Sequence, residues 1–235
     1  PGLDLLEWTR PLLIEPAYIE PHHLGIARTV YSVRDLDAVY DRVNVMGYRI
    51  LSRPSRLERE SAARFCLVDP DNVQVEVREG ATEQFIGVTV NCSDLDRATA
   101  QCVGVLGMEP TEEVQTTRAS GDLYGLPGAV EWDSRTFRLP AEPKGTFGLE
   151  LVQWKIPEPT GVPYSVAYHL GLFRIAMGVV DMEPAYQELL TSDVECFSPP
   201  AEIVIGPPPK SRSVRALFFK DPDGTCLEFI EQPRA

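Results

Sequence analysis

Residues 148–154 have the sequence GLELVQW, and residues 2–8, which lie 146 positions earlier, have the similar sequence GLDLLEW. The likeness extends beyond these segments without a gap, and roughly a third of the residues from 2 to 40 are identical to the residue 146 positions later. Self-similarity at a fixed spacing is typical of a chain that repeats one supersecondary unit. The sequence therefore predicts a fold assembled from copies of a single module.

Each copy begins with the same succession of elements. A strand-like run ends just before an aspartate, whose side chain can accept hydrogen bonds from the unpaired amides of a first helical turn. The spacing of apolar residues after each aspartate predicts an amphipathic helix. The strand-like runs are 26–33, 88–92 and 173–180, the aspartates are Asp35, Asp94 and Asp181, and the predicted helices are 36–45, 95–106 and 182–190.

Two of the copies end in a hairpin with the same kind of turn. The sequence DPDN at 69–72 separates two strand-like runs, and DPDG at 221–224 separates two others. Proline presets the backbone of such a turn, and Asn or Gly accepts the positive φ that closes the hairpin. The middle copy has a longer insertion instead, residues 119–130, which is rich in Gly and is predicted to be a loop over a cavity.

The helix-start aspartates, the two turns and a glutamate four residues after each turn resemble the vicinal oxygen chelate superfamily. That superfamily includes glyoxalases, bleomycin-resistance proteins and extradiol dioxygenases. The resemblance covers nearly the whole chain. It implies an α+β fold in which tandem βαβββ modules pair into curved mixed sheets around a cup.

Three modules are predicted, at residues 22–80, 84–155 and 167–233, and residues 2–10 resemble the last strand of a further module. The resemblance implies that 84–235 is a complete domain, in which 84–155 pairs with 167–233. Residues 1–80 then hold the leftover strand and one module without a partner. We therefore expect a second copy of the chain, as a homodimer, or an upstream module to complete the sheet of 22–80.

The composition limits the partners and the compartment. The chain has 235 residues and a formal net charge of −13. Nucleic-acid binding needs clustered Lys and Arg, so no nucleic-acid partner is expected. The apolar runs are far shorter than the roughly 20 residues that cross a bilayer, so no membrane partner is expected either. Five cysteines without a CxxC pair indicate reduced thiols in a cytoplasmic protein.

Metal ligands in this superfamily come from the first strand, usually His or Gln, and from the last strand, usually Glu. The last-strand acids are present here, but the equivalent first-strand positions carry Arg or Gly. A guanidinium has no lone pair to give to a metal, and its positive charge repels a cation. We therefore expect no metal and no other cofactor. The last-strand acids are Asp4, Glu76, Glu150 and Glu228, and the first-strand residues are Arg28, Gly87 and Arg174.

Two sets of residues follow from the expected pairing. Glu150, Arg174 and Glu228 are the candidate catalytic set, whereas Asp4, Arg28 and Glu76 form a second cup. Arg174 either bridges the two glutamates as scaffold, or it binds a ligand carboxylate, phosphate or enolate while a glutamate moves a proton. The side chains expected to face a substrate are those of Thr89, Asn91, Tyr124 and Cys226, with Gly87 leaving room for it.

The expected ligand is a small organic molecule, either aromatic or acidic. Two classes of function remain open for a protein that binds it. The first is a metal-independent isomerase, cyclase or lyase, for which a raised carboxylate pKa would be evidence. The second is a non-catalytic protein that binds and sequesters the ligand, as resistance proteins do, which an aromatic cup with a neutralised arginine would favour. A metal-dependent glyoxalase or extradiol dioxygenase ranks third, because the ligand set is broken.

Overall fold

The computed structural model describes residues 2–58, 60–140, 147–206 and 211–232. Residues 233–235 and Pro1, at the ends of the predicted domains, lie outside the described residues. The module 22–80 consists of β1 (Gly25–Val33), α1 (Leu36–Val45), β2 (Arg49–Ile50), β3 (Ser55–Arg56), β4 (Ala63–Val68) and β5 (Gln74–Glu79).

The other two modules likewise begin with a strand and a helix and continue with a run of strands. The module 84–155 consists of β6 (Gln84–Asn91), α2 (Leu95–Gly104), β7 (Glu109–Pro110), β8 (Gln115–Ser120), a 3-10 helix (Gly121–Tyr124), β9 (Ala129–Arg138) and β10 (Gly148–Ile156). The module 167–233 consists of β11 (Arg174–Val179), α3 (Met182–Thr191), β12 (Ala201–Ile205), β13 (Arg212–Lys220) and β14 (Cys226–Glu231).

The predicted helix starts and turns are present. Asp35 Oδ1 accepts a hydrogen bond of 2.9 Å from the Ala38 amide, and Asp94 and Asp181 cap α2 and α3 in the same way. Asn72 has a φ of 66° and Gly224 a φ of 97°, so each closes its hairpin turn from the left-handed region. These features depend on neighbouring residues, which is why the local pattern predicts them.

The strands form two mixed sheets. The larger has ten strands, with the path β2-β4-β5-β1-β6-β10-β9-β7, and β3 and β8 pair with β4 and β9. Its centre is the antiparallel pair of β1 and β6, the first strands of 22–80 and 84–155. The smaller sheet has the order β11-β14-β13-β12 and belongs to 167–233 alone. The fold is therefore α+β with curved mixed sheets.

The predicted pairing of the modules is wrong. The module 84–155 pairs with 22–80 and not with 167–233, so the sheet of 22–80 is already complete. Residues 2–10 contain no strand residue, and Asp4 is exposed. The first strands of the modules have equivalent sequences, and a local pattern cannot choose which two of them meet.

Each helix packs on one face of its own sheet. Leu36 of α1 lies against Phe65 and Val77, and Leu95, Ala98 and Cys102 of α2 lie in the core of 84–155. Met182 and Leu189 of α3 are fully buried on the smaller sheet. The opposite face of the larger sheet lines the cup. In the described part of the chain, no helix is both long and apolar enough to span a membrane.

Candidate functional site

Five charged side chains meet in the cup of the ten-stranded sheet, and we call them the Arg–Glu cluster. Glu76 and Arg78 are two residues apart on β5, and Arg64 is the partner of Arg78 across the β4–β5 ladder. Strand residues two apart project to the same face, so these three side chains lie together. The cluster is completed by Arg28 on β1 and Glu150 on β10.

Glu76 is the centre of the cluster and is fully buried. One of its oxygens accepts a hydrogen bond of 2.9 Å from Arg28 Nε. The other accepts one of 2.8 Å from Arg64 Nη1 and a short one from Arg78 Nε. Three guanidinium groups therefore share a single carboxylate, an arrangement that satisfies a buried negative charge.

Glu150 closes the cluster from the neighbouring module. Its Oε2 accepts hydrogen bonds from Thr89 Oγ1 at 2.8 Å and from Arg78 Nη2 at 3.3 Å, and it lies 3.7 Å from Arg28 Nη2. The side chains of Glu150 and Arg78 are 18% and 24% exposed, whereas Arg28 is 1% exposed. The Arg78–Glu150 side is therefore the part of the cluster that solvent reaches.

Both glutamates are held in the charged form. Burial alone would raise the pKa of Glu76, but the guanidinium groups of Arg78, Arg64 and Arg28 outweigh it and hold that pKa well below its usual range. The pKa of Glu150 is lowered in the same way, mainly by Arg78 and Arg28. Neither carboxylate is suited to take up a proton near neutral pH.

The charges of the cluster balance once an acid at its rim is included. Three guanidinium groups face two carboxylates, and the third acid, Glu60, pairs with Arg64 from the rim, where its side chain is 41% exposed. Arg28 Nη1 and the Tyr124 hydroxyl are buried and have no hydrogen-bond partner among the described residues. Unsatisfied buried donors beside guanidinium groups suit an anion.

An aromatic group covers the cluster. The ring of Tyr124 lies 4.7 Å from Arg28 Cζ, in a cation–π contact. Tyr124 also packs edge-on against Trp132 and Trp154, with ring centroids 5.7 and 5.6 Å apart. Tyr124 ends the 3-10 helix of the 119–130 insertion, so this insertion folds onto the cup and is not an open loop.

The cluster does not fit a metal ion. Among the described residues, no group of three or more His, Cys, Asp or Glu side chains is gathered where it could hold one. In the cup itself, guanidinium groups form ion pairs with both carboxylates, and their positive charge repels a cation. The metal that the superfamily implies therefore has no suitable donor set here.

The candidate catalytic set is divided between the two sheets. Glu150 lies with Arg28 and Glu76 in the larger sheet, whereas Arg174 and Glu228 lie together in the smaller one, where Arg174 Nε donates to Glu228 Oε2 at 2.5 Å. Asp4 does not pair with Arg28, and Glu150 lies in the position that was predicted for Asp4. This exchange follows directly from the observed pairing of the modules.

Cys226 lies beside Arg174 in the smaller sheet, as its ladder partner. The residue is 2% exposed, and burial raises the pKa of its thiol to about 12. A thiol that stays protonated at neutral pH is a poor nucleophile.

Three of the predicted substrate-facing residues have structural roles. Thr89 donates to Glu150. The side chain of Asn91 donates to Pro21 O and His23 O and accepts from Trp154 Nε1, which uses its bonding capacity. Gly87 does not leave room for a substrate, because a Cβ there would lie 2.3 Å from Gly148 O on the neighbouring strand.

Sequence reasoning missed Arg64 and Arg78. The signal that could have found them is strand alternation, since Arg78 is two residues after Glu76 and Arg64 two residues before Cys66, the ladder partner of Glu76. Tyr124, predicted to stack on a ligand, is 2% exposed and instead contacts Arg28.

Comparisons with known proteins agree with this fold. The chain is similar to glyoxalase I from Zea mays, with a TM-score of 0.65 and 19% identity over 89% of this chain and 68% of that one. It is also similar to a proposed dioxygenase from Bacillus subtilis, with a TM-score of 0.53 and 15% identity over 90% of this chain and 63% of that one. Comparison of the sequence with models of protein families and with curated proteins finds no match.

The βαβββ modules, their paired first strands and these structural neighbours define a protein with the vicinal oxygen chelate fold. The glyoxalase and dioxygenase structures share that fold. Because their sequences are less than 20% identical to this chain, the similarity shows the fold alone.

Proposed function

We propose that the protein binds a small acidic organic molecule in the cup of 22–155, without a metal, as a binding protein and not as an enzyme. The observation that carries this proposal is a pair of buried donors at the Arg–Glu cluster, Arg28 Nη1 and the Tyr124 hydroxyl, which have no hydrogen-bond partner among the described residues. A ligand carboxylate would accept hydrogen bonds from both donors.

The lowered pKa values favour binding over proton transfer. A general base works best when its pKa lies near the working pH, and Glu76 and Glu150 are shifted in the other direction. The ligand would approach from the Arg78–Glu150 side, which solvent reaches.

The test is a thermal-unfolding screen with matched pairs of ligands, each a carboxylic acid and its primary amide, such as benzoate and benzamide. A bound ligand at 100 times its dissociation constant stabilises the protein by about 2.7 kcal/mol, which raises the midpoint by several degrees in a chain of this size. We expect some acids to raise the midpoint while their amides do not. Equal responses within every pair would contradict the proposal.

Arg78→Met should abolish the response to the acids, because this guanidinium is both charged and accessible. Arg118→Met is the control, since Arg118 also forms an ion pair with a glutamate, Glu131, but is 78% exposed and lies outside the cluster. The control variant should respond as the parent does. Loss of the response in both variants would indicate a nonspecific effect of net charge.

A second candidate function, a metal-independent isomerase or lyase, is favoured by one observation in the smaller sheet. Glu228 is fully buried, and its Oε1 has no hydrogen-bond partner among the described residues, although its Oε2 is held by Arg174. Arg174 is 24% exposed. A free carboxylate oxygen beside an accessible guanidinium could move a proton on a bound carbonyl acid. Proton exchange from such a ligand, lost in Glu228→Gln, would distinguish this function from binding alone.

A further inference from the structure

The first strand of the smaller sheet has a free edge. In the larger sheet each first strand has two neighbours, because β6 lies between β1 and β10 and β1 lies between β6 and β5. In the described part of the chain, β11 pairs only with β14. An unpaired strand edge exposes backbone donors and acceptors that readily pair with another strand.

Two connecting segments, residues 11–24 and 157–170, contact each other. A local two-fold axis relates each residue of the first segment to the residue 146 positions later in the second. The Tyr18 and Tyr164 rings stack on each other at 4.4 Å, with planes 7° apart. Two pairs of backbone hydrogen bonds are equivalent under the same relation. In the first pair, the Ile14 amide donates to Tyr168 O and the Leu170 amide donates to Ile14 O. In the equivalent pair, the Thr160 amide donates to His22 O and the Leu24 amide donates to Thr160 O.

The same axis places residues 2–10 where a last strand belongs. Trp154, near the end of β10, contacts His22 with ring centroids 6.1 Å apart and planes 63° apart. Trp8 contacts Tyr168 with ring centroids 6.2 Å apart and planes 64° apart. Trp8 is therefore the two-fold equivalent of Trp154, and residues 2–10 are the equivalent of β10.

The axis also relates β1 to β11. Since β6 lies between β10 and β1, its counterpart must lie between residues 2–10 and β11. No strand of the described residues occupies that place. We propose that a fourth βαβββ module of the 84–155 type, whose last strand is residues 2–10, docks its first strand antiparallel on the free edge of β11.

A second copy of the chain does not fit this place as well. The missing strand must pair on both sides, with β11 and with residues 2–10. Every strand of the described residues already has a partner on at least one side, including β11 itself. The occupant must therefore bring a first strand whose own last strand is residues 2–10. Docking would enclose Arg174 and Glu228 in a second cup, as 84–155 encloses Arg28 and Glu76.

The test is hydrogen–deuterium exchange on the chain and on an extended form, in which a copy of residues 84–147 is joined directly ahead of Gly2. Residues 148–154 and 2–8 are alike in sequence, so residues 2–10 can complete the added module. In the chain itself, amides of 174–179 should exchange at least about tenfold faster than those of 25–33, whose strand is paired on both sides. In the extended form, exchange at 174–179 should slow by at least about tenfold.

The matched control is the extended form with Val88→Pro in the added copy only, because proline removes a ladder hydrogen bond from a central strand. This variant should return the exchange at 174–179 to that of the chain alone. Slow exchange at 174–179 in the chain alone would overturn the proposal, since the edge would not be free. Fast exchange there in the extended form would also overturn it, whether or not the added strands fold. Neither outcome affects ligand binding in the cup of 22–155.

Discussion

Two glutamates on β5 differ in their burial and therefore in how much each contributes to the stability of the protein. Glu76 is fully buried and accepts hydrogen bonds from three guanidinium groups. Glu79, three residues further on, has a side chain 44% exposed and pairs with Arg56, which is 63% exposed. Removing one partner of a buried charge set leaves the others unpaired, whereas an exposed pair contributes little.

We therefore expect Glu76→Gln to lower the free energy of unfolding by about 3–5 kcal/mol, and Glu79→Gln by about 1 kcal/mol or less. Adding Arg64→Met to Glu76→Gln should recover part of the loss, because it removes one unpaired buried charge. Urea unfolding of the four proteins would measure these differences. A Glu76→Gln variant as stable as Glu79→Gln would show that the cluster is not a scaffold.

The lowered pKa values predict how stability depends on pH. A carboxylate whose pKa is lower in the folded state stabilises the fold fully above its unfolded pKa, and the contribution is lost as the pH falls toward the folded value. For Glu76 and Glu150 the loss begins below the ordinary value of 4.5. The free energy of unfolding should thus fall progressively as the pH drops below about 4.5 toward the folded-state pKa values.

Glu150→Gln should have a shallower acid loss than the parent protein, because one of the two shifted carboxylates is gone. Denaturant unfolding at half-unit steps of pH would measure both slopes. Parallel curves for parent and variant would mean that Glu150 does not have a lowered pKa in the folded protein.

At the scale of elements, the close approach of β6 and β10 holds one wall of the cup in place. Gly87 and Gly148 are ladder partners, and a Cβ at Gly87 would lie 2.3 Å from Gly148 O. That neighbour is backbone and cannot move aside without displacing its strand. Gly104 at the end of α2 offers a comparison, since a Cβ there meets nothing within 4 Å.

Gly87→Ala should therefore destabilise the protein by about 1–3 kcal/mol, as overpacking does, and should loosen the strand that presents Glu150. Gly104→Ala should be neutral or stabilise by up to about 1 kcal/mol, because alanine favours the helix. Thermal unfolding midpoints of the two variants, compared with that of the parent, would measure both effects on stability. Equal midpoints would mean that β6 and β10 can separate without loss.

At the scale of the whole molecule, local features were predictable and long-range pairing was not. The caps Asp35, Asp94 and Asp181 and the two hairpin turns follow from adjacent residues, and the structure contains them. The pair of Arg28 and Glu76 was also predicted, since both belong to one module. Glu150 was assigned to the wrong arginine, because Arg28 and Arg174 are equivalent in sequence and only the sheet shows which of them Glu150 meets.

The most direct measurement of metal-independent recognition in the cup is calorimetric titration of chelator-treated protein with the acid that gives the largest thermal shift. We predict a dissociation constant unchanged within about twofold by the chelator, and at least about tenfold weaker in Arg78→Met, a difference of about 1.4 kcal/mol. Binding that disappears on chelation and returns with Zn²⁺ or Fe²⁺, at equal strength in parent and Arg78→Met, would contradict it.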